Sequence, residues 1–205
     1  HAAIELELPL QINTTMSRLT RRFIESMARR VRELPIALWA VFFLVRTGRG
    51  QNLTDITAEQ YEQILTALAR AQSVGSAETS PASAFTRHED PWSMPIGNAG
   101  RLLIRAKCAP HFRRIIWQLD PTSPLLKNYA HGSCPAGKYY CRITPEGEVT
   151  PCPYMPVTAG NLRQTSFARL WEEAGVFHEL REPQLGGRCG ACEFSKICGG
   201  CRCRA

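Results

Sequence analysis

The sequence predicts an α/β protein: part of a (β/α) barrel, followed by a small cysteine-rich α+β domain. Two observations carry that reading. Through residues 1–120, apolar β-prone runs alternate with amphipathic stretches as strand, helix, strand, helix, strand, helix. That order implies parallel strands joined by crossover helices. All nine cysteines lie between Cys108 and Cys203, so the first 107 residues contain none. This asymmetry points to a metal-binding module attached to a conventional domain. Hydrophobic residues make up 44% of the 205, enough for an ordinary core.

The first strand is expected over Leu8–Thr15 (LPLQINTT), a short apolar stretch ending in polar residues. Leu19, Phe23, Met27 and Val31 recur every four residues and predict one face of an amphipathic helix, with arginines opposite. Leu38–Val45 is a continuous apolar run, as in a strand covered on both faces. Leu34–Val45 is the longest apolar run, and its 12 residues are too few to span a bilayer. With no signal peptide recognisable, a cytoplasmic setting without membrane contact is expected. Thr47–Gly50 reads as a loop, and Thr57 with Gln60 as a capping box. Tyr61, Ile64, Leu65 and Leu68 mark a second helix. Residues 73–100, rich in Ser, Ala, Pro and Gly, predict a long loop. Arg101–Lys107 is the third strand and His111–Leu119 a short helix. Three such units fall short of a closed barrel, and the chain starts at His1 rather than Met. A longer protein, with the first half of the barrel ahead of this segment, is therefore expected.

Pro121 and Pro124 mark a linker over 121–133, and residues 134–205 form the second domain. Tyr139–Ile143 and Glu148–Cys152 flank the turn Pro145–Gly147 and predict a hairpin. Phe167, Leu170, Trp171 and Phe177 give one following helix its apolar face. The net charge of +7 favours anionic partners. The arginines are scattered, however, and no basic stripe interleaved with aromatics is visible, so nucleic acid is not an expected partner.

The cysteines fall into two groups. One is Cys134-x6-Cys141-x10-Cys152, and the other Cys189-x2-Cys192-x5-Cys198-x2-Cys201, followed by Cys203. A Cys-x2-Cys pair sets two sulfurs on one tight turn, within reach of one metal centre. Nearby glycines let backbone amides approach the sulfurs, where hydrogen bonds tune a redox centre. Spacing alone leaves three fates open: structural zinc, iron–sulfur clusters, or disulfides.

Cys134–Leu162 (CPAGKYYCRITPEGEVTPCPYMPVTAGNL) and Arg188–Arg202 (RCGACEFSKICGGCR) closely resemble the SPASM domain of radical S-adenosylmethionine enzymes. The matching pattern is Cys-x(9–15)-Gly-x4-Cys, met here by Cys134, Gly147 and Cys152, then Cys-x2-Cys-x5-Cys and a nearby cysteine. Upstream, LQINTT, LWAVFFLVRTGRG and IRAKCAPHFRR resemble later barrel strands of the same enzymes. The resemblance implies a partial radical S-adenosylmethionine barrel over 1–120 and a SPASM domain over 134–205. It implies 4Fe–4S clusters, one or two in this chain. Cys134, Cys141 and Cys152, with Cys201 crossing back, would hold an inner cluster. Cys189, Cys192 and Cys198 would hold an outer one, with Cys203 as a candidate fourth ligand. The family's Cys-x3-Cys-x2-Cys motif, which binds the cluster that cleaves S-adenosylmethionine, does not occur in the chain. The chain alone is expected to be inactive in that step.

By the same resemblance, Asn13, Thr14 and Thr15, at the end of a strand, would hold S-adenosylmethionine, and Gly48 and Gly50 would approach it with their backbone. A capping Thr–Ser cluster and a plain surface loop are the structural alternatives. Cys108 and His111 are placed at the barrel mouth, in reach of substrate or haem, with packing or capping as the alternative. Arg105, Arg113 and Arg114 could pair with substrate carboxylates, though a solvated helix face accounts equally for the last two.

The CAPHFRR-like stretch and CPAGKYYC bring the chain nearest to enzymes that modify tetrapyrrole propionates in haem biosynthesis. Modification of a ribosomally made peptide is the alternative. Either implies a small-molecule or peptide substrate and a reductant such as ferredoxin or flavodoxin. A non-catalytic electron-transfer or zinc-binding module is the third reading.

Overall fold

The structure, a computed structural model, describes residues 2–6, 8–77, 103–126 and 134–204, with backbone alone for 73–77. The chain divides into two units, His1–Asn128 and Tyr129–Ala205.

The first unit opens with a short helix α1 (Ala2–Glu5) and is built on three strands, β1 (Gln11–Met16), β2 (Leu38–Phe43) and β3 (Leu103–Lys107). They form a parallel sheet in the order β1-β2-β3. Side chains alternate across the sheet with a period of two. Ile12 and Met16, Trp39, Val41 and Phe43, and Ile104 and Ala106 therefore share one face and join one apolar core. Helices α2 (Ile24–Arg32), α3 (Ala58–Ala77) and α4 (Phe112–Leu119) cover that face. They contribute Val31, then Tyr61, Ile64, Leu65 and Leu68, then Phe112, Ile115 and Ile116.

Local chemistry sets the boundaries. Thr20 Oγ1 donates to the Thr15 carbonyl at 2.7 Å and accepts from the Ser17 N–H at 2.9 Å. This turn ends β1 and delays α2 to Ile24. Leu19 and Phe23, predicted on the helix's apolar face, are consequently exposed, and only Met27 and Val31 pack inward. The capping box is formed: Thr57 N–H donates to Gln60 Oε1 at 3.1 Å, and Gln60 N–H to Thr57 Oγ1 at 3.3 Å. From there α3 runs to Ala77, through residues predicted as loop, because no proline interrupts it and Gly75 alone does not stop it. The rest of that predicted loop, 78–100, lies outside the described residues. Gln72, buried on α3, accepts the Ile104 N–H and ties the helix to β3.

The second unit holds a small antiparallel sheet, β4 (Arg142–Ile143), β5 (Glu148–Thr150) and β6 (Gly160–Asn161). The predicted hairpin is present, and β6 adds a third strand that the sequence reading did not include. Gly147 turns the hairpin with φ 90°, and a Cβ there would lie 2.8 Å from Asn161 Oδ1. The predicted single helix is two, α5 (Phe167–Glu173) and α6 (Gly175–Arg181), because Ala174 is extended at φ −70° and ψ 126°. The break lets Trp171 and Phe177 tilt against each other at 4.8 Å while Leu170 and Phe177 enclose Val149. Two one-turn helices follow, α7 (Gly187–Gly190) and α8 (Ser195–Cys198). Among the described residues, no helix is long and apolar enough to cross a membrane.

Candidate metal centre

The second unit brings four of the predicted thiols together. The Cys203 thiol is a hydrogen-bond donor shared by Cys152 and Cys201, and it holds both of their pKa values down to about 6. The reverse effect pushes the Cys203 pKa far up, so Cys203 keeps its proton. Cys134 is raised mainly by burial, and the charges of Cys201 and Cys152 act on it as well. Cys134, Cys152, Cys201 and Cys203 are thus one electrostatic neighbourhood, drawn from three separate stretches of chain.

Backbone amides converge on the same sulfurs. Tyr154 N–H donates to Cys152 Sγ at 3.5 Å, and Met155 N–H and the Tyr140 hydroxyl add to it. Cys201 receives the Cys203 amide, and Cys134 that of Ala136. Such donors favour thiolate over thiol, the form that binds metal.

Cys141, predicted with this group, packs on the apolar cluster of Val149, Leu170 and Phe177, and burial raises its pKa. Cys189, Cys192 and Cys198 lie on the turns of α7 and α8. Cys192 N–H donates to the Cys189 carbonyl, Ser195 N–H to that of Cys192, and Cys198 N–H to that of Phe194. Gly190 is required between the first two, since a Cβ there would come within 2.3 Å of the Leu185 carbonyl oxygen. Gly199 and Gly200, at φ 71° and 68°, reverse the chain so that Cys201 follows Cys198 closely. All nine cysteines are free of disulfides. Among the described residues, no three His, Cys, Asp or Glu side chains close on a single ion as they stand.

One residue outside the cysteine motif organises this unit. Arg181 donates to the Gly137 carbonyl at 3.1 Å and to the Trp171 carbonyl at 2.6 Å, with its guanidinium 4.6 Å from the Trp171 ring centroid. It ties α6 to the Cys134–Cys141 loop, where Gly137 (φ 70°) abuts Leu180. A single arginine in a polar helix gave no signal of this in the sequence.

In the first unit, Asn13, Thr14 and Thr15 lie in the C-terminal part of β1, which ends at Met16. Thr14 Oγ1 accepts the Trp39 indole N–H at 2.9 Å, a core use that takes it away from the opposite face. Asn13 and Thr15 are on that other face and exposed. Gly48 and Gly50 lie in a single 3₁₀ turn after β2, where Gly48 has φ 52° and open space at its Cβ position. His111 follows β3 and precedes α4. Its ring lies 5.4 Å from that of Tyr61, which stacks on Phe43 in the core. Arg113 is buried rather than solvated and donates to the Leu126 carbonyl, while Arg114 pairs with Glu62. Cys108 closes β3 with φ 58°, a left-handed conformation that costs a non-glycine residue about 1–2 kcal/mol.

Comparison with known proteins places both units. The SPASM model, an iron–sulfur cluster-binding domain, matches residues 134–193. The chain is 34% identical over 207 residues to the AdoMet-dependent heme synthase of Methanosarcina barkeri, covering 97% of this chain and 52% of that protein. Residues 134–193 thus resemble the SPASM domain of radical S-adenosylmethionine enzymes, and the similarity to heme synthases runs on through the first unit. Mycofactocin maturase MftC of Mycobacterium tuberculosis is 42% identical over 73 residues, 33% of this chain and 19% of the maturase. The crystal structure of Streptococcus suis SuiB bound to S-adenosylmethionine superposes with a TM-score of 0.58 at 15% identity, over 97% of this chain and 42% of that one. The chain spans about half the length of the heme synthases it matches, 46–52% of each.

The thiol set of the SPASM unit fits an iron–sulfur cluster on its own chemistry. Its interacting donors are all sulfur, two of them are poised as thiolates, and amide and hydroxyl donors already point at them. Hydrogen bonds to cluster sulfurs, burial and net charge are what set a cluster's potential.

Proposed function

We propose that this chain is the part of a radical S-adenosylmethionine enzyme that seats the substrate and carries the auxiliary clusters, and that the whole protein modifies a propionate side chain of a tetrapyrrole. One observation carries the choice of substrate. Similarity to heme synthases runs through both units, over 97% of the chain, whereas similarity to the peptide maturase is confined to 33% of it. The sheet unit, where barrel enzymes bind their substrates at the strand ends, sides with the tetrapyrrole enzymes.

On this reading the sheet of the first unit is part of the radical-enzyme barrel, and residues 134–205 are the SPASM domain beyond a linker at 121–133. Asn13 and Thr15, exposed on the sheet face away from the helices, hold the cosubstrate, and the Gly48–Gly50 turn approaches it with backbone groups. Thr14 supports Trp39 instead. Cys134, Cys152 and Cys201 ligate the inner cluster. Cys141 and Cys203 compete for its fourth position, and Cys189, Cys192 and Cys198 ligate the outer one. A bound cluster supplies one-electron transfer. The chain's own hydrogen-bond donors hold Cys152 and Cys201 toward the thiolate form that binds metal. Nine free thiols belong in a reducing compartment, so we place the protein in the cytoplasm, served by a reductant such as ferredoxin or flavodoxin.

The test is binding. A propionate-bearing porphyrin titrated into the reconstituted chain is expected to give a saturable absorbance shift, while unstructured peptides of similar charge give none. Saturable binding of peptides alone would move the assignment to peptide modification, the reading favoured by the maturase similarity in the SPASM domain.

A further inference from the structure

We infer that Arg105 and Lys107 form a carboxylate-recognition site on the sheet face opposite the helices, and that this site selects the substrate. The inference rests on the proposed tetrapyrrole reading for its preferred ligand, not for its chemistry.

The strand β3 reads Leu-Ile-Arg-Ala-Lys, and its alternation separates two functions. Ile104 and Ala106 enter the core under the helices. Arg105 and Lys107 therefore share the opposite face, their Cα atoms about 6.6 Å apart by strand geometry. Parallel register fixes their neighbours. Arg105 lies in one row with Ala40 and Asn13, and Lys107 in the next with Phe42 and Thr15. Each row thus runs from a polar residue on β1, over Ala or Phe on β2, to a cation on β3. Ala40 is fully buried and is the smallest side chain in its row.

Both cations are half-buried. Burial lowers the pKa of each, and the charge of Arg105 lowers that of Lys107 further, against an opposite effect of Cys108. A carboxylate bound between the two cations would relieve both burial and repulsion. The chain turns sharply after Lys107 at Cys108, whose φ of 58° makes it the one described non-glycine residue with positive φ. Backbone in this region clusters at ligand sites, and this one is at the C-terminal end of a parallel strand, where such sheets bind ligands.

The rows also divide the face. Asn13 and Arg105 are two strand spacings apart, about 9.6 Å between Cα atoms. That is room for a cosubstrate against β1 and a substrate carboxylate against β3. The planar guanidinium of Arg105 suits bidentate pairing with one carboxylate, and Lys107 adds a point charge for the same group or a second one. The sequence carried a signal for Lys107 that went unread: an arginine and a lysine in phase on an otherwise apolar strand.

The experiment compares a propionate-bearing porphyrin with its methyl ester on the wild-type chain, Arg105→Gln, Lys107→Gln and Arg105→Lys. Circular dichroism checks the fold of each. The acid is expected to bind at least about tenfold more tightly than the ester, as charge-assisted hydrogen bonds do relative to neutral ones. Either glutamine variant is expected to erase most of that preference and leave ester binding unchanged, with Arg105→Lys retaining part of it. Equal binding of acid and ester to wild type, unchanged in the variants, would overturn the carboxylate site while leaving the tetrapyrrole reading in place. If the porphyrin acid fails to bind but an acidic peptide binds and is lost in Arg105→Gln, the tetrapyrrole reading fails and the carboxylate site stands. Equilibrium dialysis with S-adenosylmethionine closes the remaining route: variants that lose only that ligand would assign the cations to the cosubstrate and overturn the inference.

Discussion

The two units solve the same problem of stability with different materials. Among the described residues, the sheet unit encloses one cluster of 17 buried apolar residues, spread over every strand and the three long helices. The cluster of the cysteine-rich unit has three among its described residues, Val149, Leu170 and Phe177, with a few half-buried neighbours. A domain of that size with so little buried apolar surface needs cross-links or metal to hold its shape. The SPASM model that matches residues 134–193 is an iron–sulfur cluster-binding domain, so metal is the material it uses. The first unit is built to fold around a core and present a face. The second is built to fold around its cofactor.

That contrast predicts a double dissociation. The largest effect is expected from removing the cluster: Cys152→Ser, or chelation of iron from the loaded protein, should abolish the protease resistance of residues 134–204 and leave that of the sheet unit unchanged. Limited proteolysis with mass spectrometry reads both at once. Conversely, Leu65→Ala, at a fully buried core position, should cost about 2–5 kcal/mol in the sheet unit with no change in iron per chain. Loss of iron in that variant would break the comparison.

A smaller effect sharpens the role of packing in the metal unit. Arg181→Ala removes two hydrogen bonds and cation–π contacts with Trp171 and Phe177. It is expected to destabilise that unit by about 1–3 kcal/mol and to slow cluster loading, with Arg181→Lys rescuing little because the lysine cannot make both bonds. Thermal melts and the rate of cluster absorbance growth measure the two effects.

The smallest effect is on the metal-free protein. Cys152 and Cys201 are depressed to about 6 from an ordinary thiol value of roughly 8.5. Groups whose folded pKa is depressed contribute stability above the unfolded value and lose it as pH falls through the folded one. Cys203, shifted upward, stays protonated across this window. The melting temperature of the apo cysteine-rich unit is therefore expected to fall by a few degrees between roughly pH 8.5 and 6, with no matching change in the sheet unit. Flat behaviour over that range would deny the thiol–thiol hydrogen bonds.

What was legible in the sequence follows the same division. In the sheet unit, periodicity located β2, α3 and α4, since burial there is decided by residues near in sequence. It failed at Leu19 and Phe23, where a hydroxyl turn from Ser17 and Thr20 overrode a good helical spacing. It failed again at Ala174, where one extended residue splits what hydrophobic spacing alone reads as a single helix. In the cysteine unit, spacing identified which thiols share a turn, such as Cys189 and Cys192. It could not show which thiols meet across the fold. Cys152 and Cys203, 51 positions apart, become hydrogen-bonded neighbours, and Cys141 packs on the apolar cluster. His111 illustrates the same limit: its place against Tyr61 depends on how α4 lies over α3.

Metal content after anaerobic reconstitution shows whether the cysteine-rich unit is an iron–sulfur domain. Iron, acid-labile sulfide and zinc would be measured per chain, with paramagnetic resonance on the reduced sample. About eight irons with matching sulfide are expected if both sites fill, and about four if only the inner one does. Stoichiometric zinc retained through reconstitution, with little iron and no sulfide, would contradict the iron–sulfur assignment and leave a structural zinc module.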